Sequence, residues 1–121
     1  SYNNNPFAAN EALIAFKEIA GNRKKLIIMG DMLELGDLEK EEHIKLGKRI
    51  VEIGTDFTIG VGNASKYMIE ESQKSIGKEN VLWLASKNEV NKHLGLFLNK
   101  DWAILIKGSR SIGLDEVVNK L

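Results

Sequence analysis

Residues 24–31 read KKLIIMGD, and this stretch decides the fold. Leu26, Ile27, Ile28 and Met29 form an unbroken apolar run, which is typical of a strand buried on both faces. Such strands occur mainly in parallel sheets whose two faces are covered by helices. The stretch therefore predicts a parallel sheet inside an α/β fold.

A helix is predicted immediately before this strand. Residues 6–21 read PFAANEALIAFKEIAG, in which Pro6 suits the first turn of a helix and Gly21 suits its end. Apolar residues recur at helical spacing, and we expect the following to form the buried face: Phe7, Leu13, Ile14, Phe16 and Ile19.

The alternation of helix and strand continues after this strand. The remaining predicted elements are helices at 39–54, 65–77, 88–100 and 114–121 and strands at 56–62, 80–84 and 101–108. Strands separated by helices imply right-handed crossovers and a mainly parallel sheet. We therefore expect a single three-layer α/β domain over residues 1–121, with its first strand lying before Ser1.

The composition excludes several classes of function. Lys plus Arg equals Asp plus Glu at 17 each, so no net positive field would attract nucleic acid or an anionic membrane. The chain has no Cys, which suits a reducing cytoplasm, and its apolar runs are too short to cross a bilayer. No phosphate loop of the form GxxxxGK[ST] and no HExxH or GxSxG motif is present, so we expect the chain, if it has an enzymatic role, to be one part of an enzyme.

Ligands of open α/β sheets bind beyond the carboxyl ends of the strands, and three loops follow strands here. They read GDMLELGD at 30–37, GVGNASK at 60–66 and KGSRSIG at 107–113. GVGNAS resembles the start of a dinucleotide fingerprint, but Ser65 replaces its third glycine, which favours a plain tight turn.

The loop at 107–113 carries fixed positive charge. Lys107 and Arg110 together with the Ser109 hydroxyl are suited to bind a carboxylate or a phosphate, and Gly108 lets a backbone amide approach closely. A solvated basic turn, with Ser109 capping the next segment, accounts for the same residues equally well. The residues alone leave both interpretations open.

Acidic residues and a histidine lie in or near the first loop. Asp31 and Glu34 are suited to bind an amine or to help hold a magnesium ion, although two carboxylates on a loop are more often solvated. His43 is a candidate ligand or acid–base group, but a single histidine near the start of a helix is more often structural.

Together, SYNNNP at 1–6, GDMLELG at 30–36 and KGSR at 107–110 resemble the C-terminal domain of the Mur ligases, the amide-forming ligases of peptidoglycan synthesis. The resemblance covers essentially the whole chain, and the spaced triple is more specific than any one motif. The chain departs from the family at Asn4, where alanine is usual, and by lacking the aspartate that normally precedes Ser1.

The resemblance implies a Rossmann-like domain of a three-domain enzyme, in which the other domains hold the UDP-sugar and the ATP phosphates. Its nearest pattern is that of the ligases that add D-alanyl-D-alanine to UDP-N-acetylmuramoyl-tripeptide by way of an acyl phosphate. ATP and Mg²⁺ would then be bound mainly by the central domain. The partners would be the N-terminal and central domains and the two substrates, with no nucleic acid and no membrane, and the isolated domain would be inactive.

The resemblance also implies site residues. Those facing the nucleotide would be Tyr2, Asn3 and Asn5, whereas Asn4 is left out because it departs from the family pattern. Those facing the amino substrate would be Lys107, Ser109 and Arg110, with Asp31, Glu34 and His43 in the same cleft. No metal ligand is expected in this domain.

Two other functions remain compatible with the residues. A free-standing nucleotide- or anion-binding α/β module would use the same loops, although Asp31 alone does not provide the acid cluster of a receiver domain. A purely structural interaction role fits the composition but leaves the three loops unexplained.

Overall fold

A computed structural model describes residues 4–108 of the chain. Its helices and strands are α1 (Pro6–Ala20), β1 (Lys24–Gly30), α2 (Glu39–Glu52), β2 (Phe57–Val61), α3 (Ser65–Ile76), β3 (Val81–Leu84) and β4 (Trp102–Lys107). Short 3-10 helices lie at Gly36–Leu38, Lys78–Asn80, Lys87–His93 and Gly95–Phe97. The predicted helix at 114–121 and the strand expected before Ser1 lie outside the described residues.

The described strands form one parallel sheet in the order β3-β2-β1-β4. β1 lies inside the sheet, where Ile28 is paired with Ile59 of β2 and with Ile106 of β4. Leu26 through Met29 are fully buried. The predicted α/β fold with a parallel sheet is therefore confirmed.

The two faces of the sheet are covered differently. On one face, α1, α2 and α3 pack over the sheet and form a core that includes Leu13, Ile27, Ile50 and Met68. The opposite face contains Ile28 and is covered by the 3-10 segments between β3 and β4. No helix within residues 4–108 is both long and apolar enough to span a bilayer.

The predicted α-helix at 88–100 is wrong. The structure has 3-10 helices at Lys87–His93 and Gly95–Phe97 in its place. Asn and Gly residues are frequent in this stretch, and both have low helix propensity. The burial of Val90, Leu94 and Phe97 explains the helix-like apolar spacing that suggested an α-helix.

The predicted buried face of α1 is only partly correct. The buried residues of this helix are Ala9, Leu13, Phe16 and Ala20, whereas Phe7, Ile14 and Ile19 are exposed. Alanine is only weakly apolar and does not stand out in the sequence pattern, yet its small size lets α1 approach the sheet. The predicted ends of the helix are confirmed, since Pro6 is its first residue and Gly21 ends it with φ of 59°.

Candidate functional site

The first strand-end loop is tied to α3 by Asp31. The Asp31 carboxylate accepts hydrogen bonds from the backbone N–H of Ala64 at 3.2 Å and of Ser65 at 2.8 Å, and from Ser65 Oγ at 2.7 Å. These N–H groups belong to the start of α3, where a helix has unpaired donors and a partial positive charge. Asp31 therefore occupies the position that an anionic ligand would take at this helix end.

Gly62 makes room for this contact. It has φ of 110°, and a Cβ atom built on it would lie 2.6 Å from the nearer carboxylate oxygen of Asp31. Its carbonyl also accepts a hydrogen bond of 2.7 Å from Trp83 Nε1. The segment GVGNAS is thus a tight turn that packs against Asp31, and the dinucleotide interpretation is not supported.

His43 is part of the fold around the same loop. Its side chain is fully buried, and its Nε2 accepts a hydrogen bond of 3.0 Å from the backbone N–H of Met32. Because Nε2 is the acceptor, Nδ1 carries the proton and donates to the Glu39 carbonyl at 2.7 Å. Both ring nitrogens are therefore used within the protein, which favours a structural role that fixes the loop after β1.

Asn4 is a site residue that sequence reasoning missed. It is fully buried, and its Nδ2 donates to the carbonyl of Gly30 at 2.9 Å and to the carbonyl of Asp31 at 3.2 Å. Its Oδ1 has no hydrogen-bond partner among the described residues. The resemblance implies alanine at this position, so the departure at Asn4 is the sequence signal that could have identified it.

Glu34 is an exposed acid of the loop after β1. It has φ of 62°, a left-handed conformation that non-glycine residues rarely adopt. Backbone strain of this kind is often retained where a loop serves a ligand. Glu34 remains available for a contact outside the domain, unlike the internally bonded Asp31 and His43.

Lys107 lies at the same edge of the sheet as the loop after β1. It is the last residue of β4, is half-buried and pairs in register with Met29, two residues before Asp31. The other residues predicted for this anion site, Ser109 and Arg110, lie outside the described residues. The sheet therefore brings the first and third predicted loops to one edge.

The predicted nucleotide-facing residues are described only in part. Asn5 caps α1, because its Oδ1 accepts a hydrogen bond of 2.8 Å from the backbone N–H of Ala8. Tyr2 and Asn3 lie outside the described residues. Since Asn4 contacts Gly30 and Asp31, the start of α1 also lies at the carboxyl edge of the sheet.

Within residues 4–108, no three His, Asp or Glu residues are placed to hold a metal ion together. The Asp31 carboxylate, one of the two acids that the sequence suggested for a magnesium ion, already accepts hydrogen bonds from α3.

A family model described as "Mur ligase, glutamate ligase domain" matches residues 1–110 of this chain. The chain belongs to the Mur ligase family. The resemblance drawn from the three loops is thereby confirmed.

Among individual Mur ligases, the UDP-N-acetylmuramoyl-tripeptide--D-alanyl-D-alanine ligase of Bacillus subtilis is 31% identical over 121 residues, which are 100% of this chain and 26% of the relative. The enzyme of the same name from Escherichia coli is 31% identical over 123 residues, covering 100% of this chain and 25% of the relative. The chain thus spans about a quarter of the length of these ligases.

Solved structures of Mur ligases share the fold. A crystal structure of MurF from Acinetobacter baumannii superposes with a TM-score of 0.78 at 24% identity, covering 98% of this chain and 26% of that one. MurF from Thermotoga maritima in complex with ADP gives a TM-score of 0.72 at 22% identity, covering 97% and 25%. At these identities the likeness establishes the fold alone.

Proposed function

We propose that this chain is the C-terminal domain of an ATP-dependent ligase that joins D-alanyl-D-alanine to UDP-N-acetylmuramoyl-tripeptide. The observation that carries the proposal is that ligases of this name align with the whole chain through their C-terminal part. Residues 1–121 are a single domain in this proposal, and the N-terminal and central domains of the same polypeptide are its partners.

The dipeptide substrate has a carboxylate and an amine, and the edge of the sheet offers groups that suit the carboxylate. In this proposal Lys107, Ser109 and Arg110 bind it, because fixed cations and a hydroxyl are its natural partners. Glu34, an exposed acid of the neighbouring loop, faces the same cleft in this proposal. Asp31 and His43 serve the substrate indirectly by holding the backbone of that loop in place.

The nucleotide lies against the start of α1 in this proposal. Tyr2, Asn3 and Asn5 contact it near the adenosine, since amide side chains both donate and accept hydrogen bonds. ATP supplies the phosphoryl group that activates the tripeptide carboxylate, and Mg²⁺ is held mainly by the central domain. The ADP bound in the Thermotoga maritima neighbour supports nucleotide use by such proteins.

The role of this domain is positioning. By closing on the central domain, it places the dipeptide amine against the activated carboxyl group, and correct placement alone can supply a large part of a rate enhancement. The 121-residue chain is therefore inactive by itself. A cytoplasmic location is part of the same proposal, because the chain has no Cys and the reaction consumes ATP.

Phosphate release by the longer protein tests the reaction. The protein that contains this chain, supplied with ATP, Mg²⁺ and UDP-N-acetylmuramoyl-tripeptide, should release phosphate in turnover amounts only when D-alanyl-D-alanine is added. Turnover that is unaffected by the dipeptide, or that requires a single amino acid instead, would refute the proposed substrate.

Substitution of Arg110 tests the assignment of the carboxylate site. Arg110→Ala in the longer protein should raise KM for D-alanyl-D-alanine by at least about tenfold and leave KM for ATP within about twofold. Lys100→Ala is the matched control, because Lys100 is exposed and precedes the opposite end of β4. Equal effects on both KM values would show that Arg110 does not act on the dipeptide.

A further inference from the structure

One peptide unit of the loop after β1 is held from two sides. Its carbonyl, that of Asp31, accepts a hydrogen bond of 3.2 Å from Asn4 Nδ2. Its N–H, that of Met32, donates to His43 Nε2 at 3.0 Å. Asn4 Nδ2 also donates to the preceding carbonyl, that of Gly30, at 2.9 Å. Both polar groups of this peptide unit are therefore fixed by side chains from other segments of the chain.

Three side chains from different elements hold this loop. Ser65 at the start of α3 donates to the Asp31 carboxylate, and His43 lies in α2. Asn4 precedes α1 and belongs to residues 1–5, part of which is proposed to face the nucleotide. Of these three contacts, the one from Asn4 therefore joins the nucleotide-facing segment directly to the loop.

The direction of the Asn4 amide is determined by its acceptors. Two carbonyl oxygens lie within hydrogen-bond distance of Nδ2, so turning the amide over would place Oδ1 against two other acceptors. In the observed orientation Oδ1 is buried and has no hydrogen-bond partner among the described residues. A buried unpaired acceptor costs on the order of 1–3 kcal/mol, which offsets much of what the two Nδ2 bonds contribute. Stability alone is therefore a weak reason for asparagine at a position where the resemblance implies alanine.

The peptide unit that Asn4 holds leads into the exposed part of the loop. Glu34 follows it, is exposed and has φ of 62°. Because successive peptide planes are joined only through the φ and ψ torsions, a shift of the Asp31 carbonyl redirects the backbone that leads to Glu34. The placement of Glu34 therefore depends on the placement of Asn4.

We propose that Asn4 is a positioning residue that couples the binding of a nucleotide at residues 2–5 to the conformation of the loop at 30–36. Nucleotide contacts on both sides of Asn4 fix this residue, Asn4 fixes the peptide unit between Asp31 and Met32, and the loop then presents Glu34 to the cleft. Alanine at this position would leave the two carbonyls without this donor, so the coupling belongs to this chain and not to the family pattern. The inference rests on the nucleotide assignment within the proposed function, but not on the identity of the amino substrate.

Hydrogen exchange of the longer protein, measured by mass spectrometry with and without saturating ADP, tests the coupling. In the unsubstituted protein, ADP should slow exchange of the amides at 31–36 by at least about fivefold. In Asn4→Ala, the rates with and without ADP should agree within about twofold, at ADP concentrations that calorimetry shows to be saturating for that variant. A purely structural Asn4 gives a different result, because its loss would speed exchange equally with and without ADP and leave their ratio unchanged.

Two further variants separate the hydrogen bonds from other effects of the substitution. Asn4→Asp keeps the size of the side chain but cannot donate to the two carbonyls, so it should lose the response to ADP as Asn4→Ala does. Glu11→Ala is the matched control, because Glu11 is exposed in α1, and it should keep the full response.

The outcomes distinguish this inference from the proposed function. Binding of ADP to the unsubstituted protein without a change of exchange at 31–36 would overturn the inference, and so would an unchanged response in Asn4→Ala. Failure to bind ADP at all would overturn it together with the nucleotide assignment. A response that depends on Asn4, in a protein whose phosphate release does not require D-alanyl-D-alanine, would support the inference and refute only the proposed substrate.

Discussion

The carboxyl end of β1 and the outer edge of β4 are two borders of one sheet, and they differ in how their side chains are bonded and packed. At the end of β1, Asp31, His43 and Asn4 bond to backbone groups from other segments of the same chain. At the edge of β4, apolar side chains such as Ile19 and Leu98 remain exposed. The loop of the candidate site is therefore held by hydrogen bonds between distant segments of the chain, whereas the edge of β4 keeps exposed apolar side chains among the described residues.

Gly62→Ala should have the largest effect on stability. A Cβ atom would meet the Asp31 carboxylate and force an L-residue into φ of 110°, so we expect a loss of about 3 kcal/mol in the free energy of unfolding. Urea denaturation measures this loss. Gly95→Ala is the control, because nothing lies within 4 Å of the place its new methyl group would take, and its change should stay within about 0.5 kcal/mol. Equal effects at the two glycines would contradict the tight packing at Asp31.

Asp31→Ala should have the next largest effect. It leaves the N–H groups of Ala64 and Ser65 without their acceptor and uncaps α3, which should cost about 2 kcal/mol of unfolding free energy. Asp37→Ala removes an exposed acid a few residues away and should change stability by no more than about 0.5 kcal/mol. If Asp31→Ala did not lower the stability, the Asp31 carboxylate would not have a structural role and would again be a candidate for binding a ligand.

Asn4→Ala should cost about 1 kcal/mol, because it removes two hydrogen bonds but also a buried oxygen without a described partner. Asn4→Asp is the informative companion, since its carboxylate cannot donate to the carbonyls of Gly30 and Asp31. It should destabilise the chain more than alanine does. If thermal unfolding gave the reverse order, the Nδ2 contacts would not hold the start of α1.

Ile19→Lys should have the smallest effect in the 121-residue chain. Its side chain is 72% exposed, so the change in unfolding free energy should stay within about 0.5 kcal/mol. Phe16→Lys, one turn away on the buried face of α1, is the contrasting variant and should prevent stable folding. A large loss from Ile19→Lys would show that the chain covers this edge itself.

The parts of the fold that sequence predicted are those with strong local patterns. The run Leu26–Met29 predicted a buried parallel strand because both faces of β1 are covered, and Pro6 and Gly21 marked the ends of α1. The segment at 88–100 has helical apolar spacing but forms 3-10 turns, since spacing alone does not separate these helix types.

The site was less predictable because its contacts join distant residues. Asp31 and Ser65 are 34 residues apart, and nothing local to Asp31 shows that its carboxylate caps α3. The role of His43 was equally hard to predict, because its hydrogen bond to Met32 depends on how α2 packs against the loop. The sequence identified the loops as candidate binding loops, but it did not show which of their side chains form hydrogen bonds within the domain.

The affinity for ADP of the 121-residue chain, compared with that of the longer protein, is the most direct test of the account. Both affinities can be measured by calorimetry once circular dichroism shows that the shorter chain is folded. If the chain provides one side of a cleft, its affinity should be at least about a hundredfold weaker than that of the longer protein. Equal, micromolar affinities would contradict the account and favour a free-standing nucleotide-binding module.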